Sequence, residues 1–230
     1  MKSLHYNQRG ASPAAVVVVL VLIGLVGWFG YSSYQSKSTT GKTSSSSGTY
    51  DGWKSYRDAS SGVTFKYPGA WNVFAYQPSQ GTNAGKFTLL TVSPVTQQQR
   101  TGADSQKYAG KLALYLTMSD AAQVQANVSP SKPLYHKLLA SEKILEKITI
   151  NGASYSLRGY GVKTPDPLVA VEAVTCQTED TCSSQIKRSN NDYISAIIST
   201  QASQQGTTAP LDLTTQDYKD SKLVLQSLKF

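Results

Sequence analysis

The chain has 230 residues, of which 22 are Lys or Arg and 14 are Asp or Glu, so its formal net charge is +8. Four basic residues precede residue 50, which leaves 18 basic and 14 acidic residues, a net charge of +4, for the remainder. Those basic residues are scattered, and Lys187-Arg188 is their single adjacent pair in the sequence. Because nucleic-acid binding usually needs a concentrated basic patch interleaved with aromatic residues, this distribution argues against a nucleic-acid partner.

An apolar segment near the N-terminus predicts a transmembrane helix over residues 13–31. Between Ala14 and Tyr31 the sequence reads AAVVVVLVLIGLVGWFGY, with no charged residue. As a helix this stretch would span about 27 Å, close to the hydrocarbon thickness of a bilayer. Pro13 suits a first helical turn, and Trp28 suits the headgroup layer. The predicted anchor residues are Ala14, Val19, Leu22, Trp28 and Tyr31.

The orientation of this segment rests on features outside it. Two basic side chains flank it on each side, so the positive-inside rule does not decide. The short tail of residues 1–12 and two cysteines discussed below favour a cytoplasmic N-terminus and an extracytoplasmic domain. A cleaved signal peptide is the alternative, since Gly30-Tyr31-Ser32 is a candidate cleavage site. Cleavage would give a secreted protein, but the apolar stretch exceeds the usual signal-peptide length.

The leader resembles that of type IV pilin-like proteins, which are processed after a glycine. Gln8-Arg9-Gly10 precedes Ala11-Ser12 and the apolar run. The resemblance implies a pilus-associated subunit. Those proteins usually have glutamate at the fifth mature position, where this chain has Ala15, and they continue as one long helix. Here residues 32–49 are rich in Ser, Thr and Gly, which predicts a flexible linker with a reach of roughly 25 Å.

Strand patterns dominate residues 50–230. Asn151-Gly152 lies between two alternating runs and predicts a type I′ hairpin, because both residues tolerate positive φ. Residues 217–228 predict a closing helix, with Tyr218, Leu225 and Leu228 on one face and Thr214 with Asp217 as a capping box. The predicted strands cover residues 63–67, 71–76, 87–92, 148–150, 153–157, 168–175 and 193–198, while residues 111–118 fit a strand or a helix. Strands with segregated helices predict an α+β fold with a mostly antiparallel sheet.

Both ends of this domain resemble PsbP-like domains. Tyr56-Arg57-Asp58, the stretch Gly62-Val63-Thr64-Phe65-Lys66-Tyr67-Pro68 and then Trp71 match the opening of that family, and Ser227-Leu228-Lys229-Phe230 is similar to its ending. The resemblance implies an α-β-α sandwich whose first hairpin is formed by the opening stretch. It also implies a binding or assembly module without catalytic residues or cofactors.

Two cysteines enclose a short polar loop. Cys176 and Cys182 are separated by Gln-Thr-Glu-Asp-Thr and follow a predicted strand. Outside the cytoplasm such a pair favours a structural disulfide. Zinc would need four ligands, whereas residues 50–230 supply two thiols and one histidine, His136. Free thiols remain the alternative.

Residues that could support catalysis are few. His136 would have to serve as the base of any Ser-His-Asp or Cys-His site, and no Gly-x-Ser-x-Gly turn accompanies it. Four carboxylates, Asp166, Glu172, Glu179 and Asp180, match no calcium-loop spacing. Gly159-Tyr160-Gly161 lacks the third glycine of a dinucleotide site. Asn127-Val128-Ser129 is a formal glycosylation sequon, but the following Pro130 and a bacterial-type leader argue against its use.

These observations predict a non-enzymatic binding module anchored to the membrane and exposed outside the cytoplasm. Its partners would be the lipid bilayer, through residues 13–31, and a membrane protein or a cell-envelope polymer. No catalytic, cofactor-binding or metal-binding residue is assigned. An extracytoplasmic hydrolase and a pilus-associated subunit are the alternatives.

Overall fold

A computed structural model describes residues 49–78, 87–101, 105–108, 110–126, 134–161, 168–189, 192–200 and 209–230 of the chain. Antiparallel strands dominate these ranges. The strands are β1 Trp53–Arg57, β2 Thr64–Pro68, β3 Asn72–Tyr76, β4 Phe87–Ser93, β5 Leu112–Asp120, β6 His136–Lys137, β7 Glu142–Ile150, β8 Ala153–Tyr160, β9 Ala170–Cys176, β10 Thr181–Ser183, β11 Ile186–Lys187 and β12 Asp192–Thr200. The helices are α1 Gln97–Thr101, α2 Ala121–Ala126 and α3 Gln216–Ser227, with a 3₁₀ helix at Ser105–Tyr108.

Ten of these strands form one antiparallel sheet. Its main path runs β3-β4-β5-β12-β9-β10-β6, while β11 pairs with β12 and the β7–β8 hairpin joins through β8 and β9. The central pair is β5 with β12, in register from Asp120–Asp192 to Leu112–Thr200. The segment at residues 111–118, which fitted either structure, is therefore a strand. The strands β4 and β12 flank this segment and supply its hydrogen bonds, which its own sequence pattern could not predict.

The two faces of this sheet differ in chemistry. Cross-strand partners share a face, and on one face they are apolar and fully buried, as Leu90, Leu116, Ala196, Ala173 and Leu157 are. This is the inner face, and it forms the hydrophobic core. The next residue along each strand points to the opposite, outer face, because side chains alternate along a strand.

Helix α3 and the β1–β2 hairpin cover the inner face. Tyr218, Val224 and Leu225 of α3 are buried, and so is Leu228 just after it, as the predicted amphipathic face requires. Phe65 of β2 is buried in the same core. The end of the chain adds to the hairpin through the hydrogen bonds Thr64 N–Lys229 O and Lys229 N–Thr64 O.

The predicted helix over residues 217–228 and the Asn-Gly hairpin are confirmed, with small changes at the helix start. The N-cap is Thr215, whose hydroxyl accepts from the Tyr218 amide, so the capping box at Thr214 was wrong by one residue. In the hairpin turn, Asn151 has φ of 48° and Gly152 has φ of 81°. Positive φ at both positions is what a type I′ turn requires.

The predicted α+β fold with an α-β-α sandwich is wrong. The described residues form a mainly antiparallel β-structure, in which the 12-residue α3 packs on the inner face and α1 and α2 have five and six residues. The opening stretch does form a hairpin, because β1 pairs with β2 through Tyr56–Phe65 and Arg57–Thr64, while Trp71 leads into β3, which pairs with β4. The sequence pattern located β2, β3, β4, β8, β9 and β12, but it missed β1, β6, β10, β11 and most of β7, and it did not identify the strand partners.

The fold prediction included an N-terminal transmembrane helix. The described ranges contain no helix of that kind. None of their helices combines the length and the apolar character needed to cross a bilayer. Residues 13–31 themselves lie outside the described residues, and so do the leader and most of the linker.

Candidate functional site

A buried arginine lies at one end of the outer face, on β8. Arg158 is opposite Glu172 of β9, and the residue is only 3% exposed. The alternation that sends Leu157 into the core sends Arg158 to the outer side of the sheet. Its neighbour Glu172 is 6% exposed. A buried charge is costly unless it is paired and hydrogen-bonded, so the surroundings of Arg158 must supply acceptors.

Four side chains from four places in the chain supply those acceptors. Arg158 Nη2 donates to Glu172 Oε2 at 2.6 Å and to Ser184 Oγ at 3.0 Å. Arg158 Nη1 donates to His136 Nε2 at 2.7 Å and lies 3.6 Å from Glu142 Oε1. We call these five residues the Arg158 cluster. They come from β6, β7, β8, β9 and the residue after β10.

The contact with Arg158 gives the histidine the role of hydrogen-bond acceptor in this arrangement. A guanidinium can only donate, so His136 must accept through an unprotonated Nε2. Arg158, Glu142 and Glu172 together carry a formal charge of −1. Glu142 also lies 3.7 Å from His136 Nε2 and accepts from the Leu139 amide at 2.9 Å. The cluster is therefore densely hydrogen-bonded and has no excess of positive charge.

Tyr160 borders the cluster on β8, opposite Glu142 of β7. Burial raises the pKa of its hydroxyl, and the negative charge of Glu172 raises it further. Tyr160 is thus a neutral hydroxyl at neutral pH. Arg158 Nε is buried without an acceptor among the described residues. In those same ranges, no three His, Cys, Asp or Glu side chains gather closely enough to hold a metal ion.

The predicted disulfide between Cys176 and Cys182 is confirmed, and it lies beside the cluster. Cys182 of β10 is opposite Cys176 of β9, and His136 of β6 is opposite Cys182 on the other edge of β10. The three residues therefore form one row across three strands. We call β6, the disulfide-closed loop between residues 177 and 180, β10 and the following Ser184 the clasp.

A half-exposed row of side chains extends from the cluster along the outer face. Successive cross-strand partners connect Glu172 to Ile197, Tyr115, Thr91 and finally Phe74. The last four of these are half-buried, in contrast to the fully buried inner face. At about 4.8 Å per strand, the row from Phe74 to Arg158 is roughly 24 Å long. Thr117 and Ser195 flank it with further half-buried hydroxyls.

The structure brings together only some of the residues singled out by sequence. His136 and Glu172 meet at Arg158, whereas Glu179 and Asp180 belong to the clasp loop, where Asp180 forms an exposed ion pair with Lys137 at 3.2 Å. Gly159 and Gly161 flank the strand end at Tyr160. Asp166, the sequon at 127–129 and the five anchor residues Ala14, Val19, Leu22, Trp28 and Tyr31 lie outside the described residues.

Three cluster residues were missed by sequence reasoning, namely Arg158, Glu142 and Ser184. One signal was available, because Glu172 interrupts the otherwise apolar run Leu168–Val174. A carboxylate in a strand that is buried on both faces needs a buried cationic partner. Which of the 22 basic residues would supply it depends on strand pairing across 14 residues of sequence, and that pairing is not encoded locally.

Comparison with known proteins gives no relative: no family model, no curated protein and no solved structure matches the chain.

Proposed function

We propose that this protein is a non-enzymatic binding or assembly module that acts outside the cytoplasm. The apolar segment 13–31 would attach the chain to the lipid bilayer, and residues 50–230 would meet a partner in the cell envelope. Signal cleavage in place of anchoring would give the same module in secreted form.

The contacts of Arg158 are the observation that carries this proposal. A general base needs a free lone pair within reach of the proton that it removes. His136 Nε2 is occupied at 2.7 Å by the Arg158 guanidinium, and Ser184 Oγ accepts from the same guanidinium at 3.0 Å. Arg158 thus lies between the candidate base and the candidate nucleophile. This arrangement favours a fixed recognition surface over acyl-transfer chemistry.

The disulfide supports the location. Disulfides persist mainly in oxidising compartments and are rare in the cytosol. Cys176 and Cys182 are bonded in the folded domain. If residues 13–31 cross the bilayer, the domain carrying this bond would lie on the outer side.

The outer face supports a neutral polymer of the cell envelope as the partner. Thr91, Thr117 and Ser195 present hydroxyl groups on this face, and Phe74 and Ile197 present apolar surface. Arg100 lies over the Tyr115 ring and donates to its hydroxyl at 2.5 Å. Sugar rings offer the complementary combination of hydroxyl groups and apolar C–H faces. The adjoining cluster has a formal charge of −1 and Arg100 adds one positive charge at Tyr115, so the face is close to neutral and suits an uncharged polymer.

Co-sedimentation of the full chain with insoluble polysaccharides tests this proposal. We would use the detergent-solubilised protein with chitin, cellulose and peptidoglycan particles, and compare the Ile197→Lys variant with Gln226→Lys. Ile197 is half-buried on the outer face, while Gln226 is exposed on α3 beyond the inner face. We expect Ile197→Lys to weaken binding at least tenfold and Gln226→Lys to leave it unchanged.

Two outcomes would reject a neutral polymer of the cell envelope as the partner. Either the wild-type chain fails to sediment with any of the particles, or both variants bind as the wild type does. In the first case, a membrane protein becomes the expected partner.

A hydrolase is the second candidate, because the cluster gathers a histidine, two glutamates and a serine within reach of one guanidinium. Turnover of ester, peptide or glycan substrates by the wild type, with loss in both His136→Gln and Ser184→Ala, would establish it. Retained turnover in either variant would assign the activity to a contaminant or to another site.

A further inference from the structure

The clasp supplies half of the acceptors around Arg158. His136 belongs to β6 and Ser184 follows β10, whereas Glu142 and Glu172 belong to the longer strands β7 and β9. The nine-residue β7 and the seven-residue β9 are held along their length by neighbouring strands. The two halves of the cluster therefore differ in what keeps them in place.

The strands of the clasp are too short to be kept in place by their own backbone pairing. β6 has two residues and β10 has three, and each pairing between β6, β10 and β9 involves two residue pairs. An isolated pair of even full-length strands is only marginally stable in water. Beyond the strands, the Leu138 amide donates to Asp180 O at 2.6 Å and the Gln177 amide to Thr181 O at 2.9 Å. The covalent link between Cys176 and Cys182 is the strongest tie in this segment.

We infer that the Cys176–Cys182 disulfide is a redox-sensitive fastener that holds His136 and Ser184 against Arg158. A dithiol reductant opens it. One thiolate of the dithiol attacks the sulfur of Cys176, which is half-buried, and displaces the fully buried Cys182 as a thiolate. The second thiol of the reductant then attacks the mixed disulfide and releases Cys176. The protein gains two electrons and two protons, and the reductant leaves as a disulfide.

Opening would change the cluster without dismantling the sheet. Arg158 would keep Glu172 at 2.6 Å and Glu142 at 3.6 Å, and would lose His136 and Ser184. The inner-face core contains no residue of β6, of β10 or of the disulfide, although Cys182 is itself fully buried, so reduction should leave the core in place. The inference stands on the geometry of the clasp and is independent of the proposed polymer.

Hydrogen exchange and histidine NMR on the full chain in detergent micelles test the inference. The chain has two histidines, so the signal of His136 is identified by comparison with the His136→Gln variant. With dithiothreitol, and in the Cys176→Ser/Cys182→Ser variant, we expect the His136 ring signal to move toward that of a free imidazole. We also expect the amides of Leu138 and Gln177 to exchange faster, on the order of 50-fold, from the closure entropy of so short a loop.

The amides of β12 should keep their exchange rates in both reduced forms. A matched control is Lys137→Ala, which removes the exposed ion pair with Asp180 but keeps the disulfide. Exposed pairs contribute little, so this variant should change the exchange rates less than about twofold.

Three results would overturn the inference. The first is an unchanged His136 signal in the double-serine variant. The second is faster amide exchange throughout β12, which would mean that the disulfide stabilises the whole fold and not only the clasp. The third is resistance of the bond to dithiothreitol while the protein remains folded.

Discussion

Replacing Arg158 by Met tests the energetic role of the cluster most directly. The substitution keeps an unbranched side chain of similar length and removes the guanidinium. It leaves the carboxylates of Glu172 and Glu142 without their cation, with side chains that are only 7% and 11% exposed. Breaking a buried ion pair by removing one partner costs about 3–5 kcal/mol, because the other charge stays buried and uncompensated.

The thermal shift follows from the size of the domain. For a domain of 150–250 residues, each kcal/mol corresponds to a change in Tm of roughly 2–4 °C. Arg158→Met should therefore lower Tm by about 6–20 °C. Urea unfolding followed by tryptophan fluorescence at pH 7 would give the free energy of unfolding, and Arg57→Met is the matched control. Arg57 is exposed on β1, so its replacement should change stability by less than about 0.5 kcal/mol.

A second substitution separates the loss of the ion pair from the loss of packing. In Arg158→Met/Glu172→Leu an apolar pair replaces Arg158 and the more buried of the two carboxylates, while Glu142 remains. Because apolar replacement of a buried ion pair is often neutral or stabilising, the double variant should recover about 1–3 kcal/mol relative to Arg158→Met. A loss below about 1 kcal/mol in Arg158→Met, or no recovery in the double variant, would refute the idea that burial makes this pair costly to break.

Three further outcomes are expected. Burial opposes ionisation of Asp58, but hydrogen bonds from Ser60 and Ser61 outweigh it and lower the pKa of the carboxyl below 3.8. Asp58→Asn should therefore lose stability in urea unfolding. The loss should be largest above pH 3.8 and should shrink as the pH falls through the lower pKa of the folded state. A difference that is constant with pH would contradict this. Gly152→Ala should cost about 1–2 kcal/mol, because φ there is 81°, whereas Ala153→Gly, the neighbouring control, should cost less. Burial raises the pKa of Tyr218 to about 12, so near-ultraviolet titration should show a tyrosine that ionises at high pH and is absent in Tyr218→Phe. The free energy of unfolding should fall as the pH rises from 10 toward 12. Ionisation of Tyr218 near pH 10 would count against its burial.

Local sequence patterns predicted several of the longer elements, because those depend on local chemistry, but they missed β1 and the short strands β6, β10 and β11. The alternation at 71–76 became β3, and the Asn151-Gly152 turn formed because those residues accept positive φ. The α3 helix followed from its amphipathic face. The pairing partner of each strand could not be predicted in this way. β2 pairs with β1 and, through an isolated bridge at Thr64, with Lys229, and no pattern around β2 indicated the second partner.

The candidate site was only partly predictable for the same reason. The cysteines are six positions apart, so their bond could be predicted from spacing and compartment. Arg158 and His136 are 22 positions apart, and Arg158 and Ser184 are 26 apart. Their meeting depends on the pairing of β8 with β9 and on the path of the clasp. Neither is determined by the residues around Arg158.

The outer face has an open end and a closed end, and this links the two proposals. Phe74 and Tyr115 are half-exposed, while Glu172 and Arg158 at the other end of the same row are buried beside the clasp. If reduction removes His136 and Ser184 from Arg158, the polar end of the row becomes accessible and the surface available to a polymer lengthens. Dithiothreitol should then change the affinity of the wild type for polysaccharide particles and leave that of the Cys176→Ser/Cys182→Ser variant unchanged. Equal affinities of the oxidised and reduced wild type would show that the clasp and the binding face act independently.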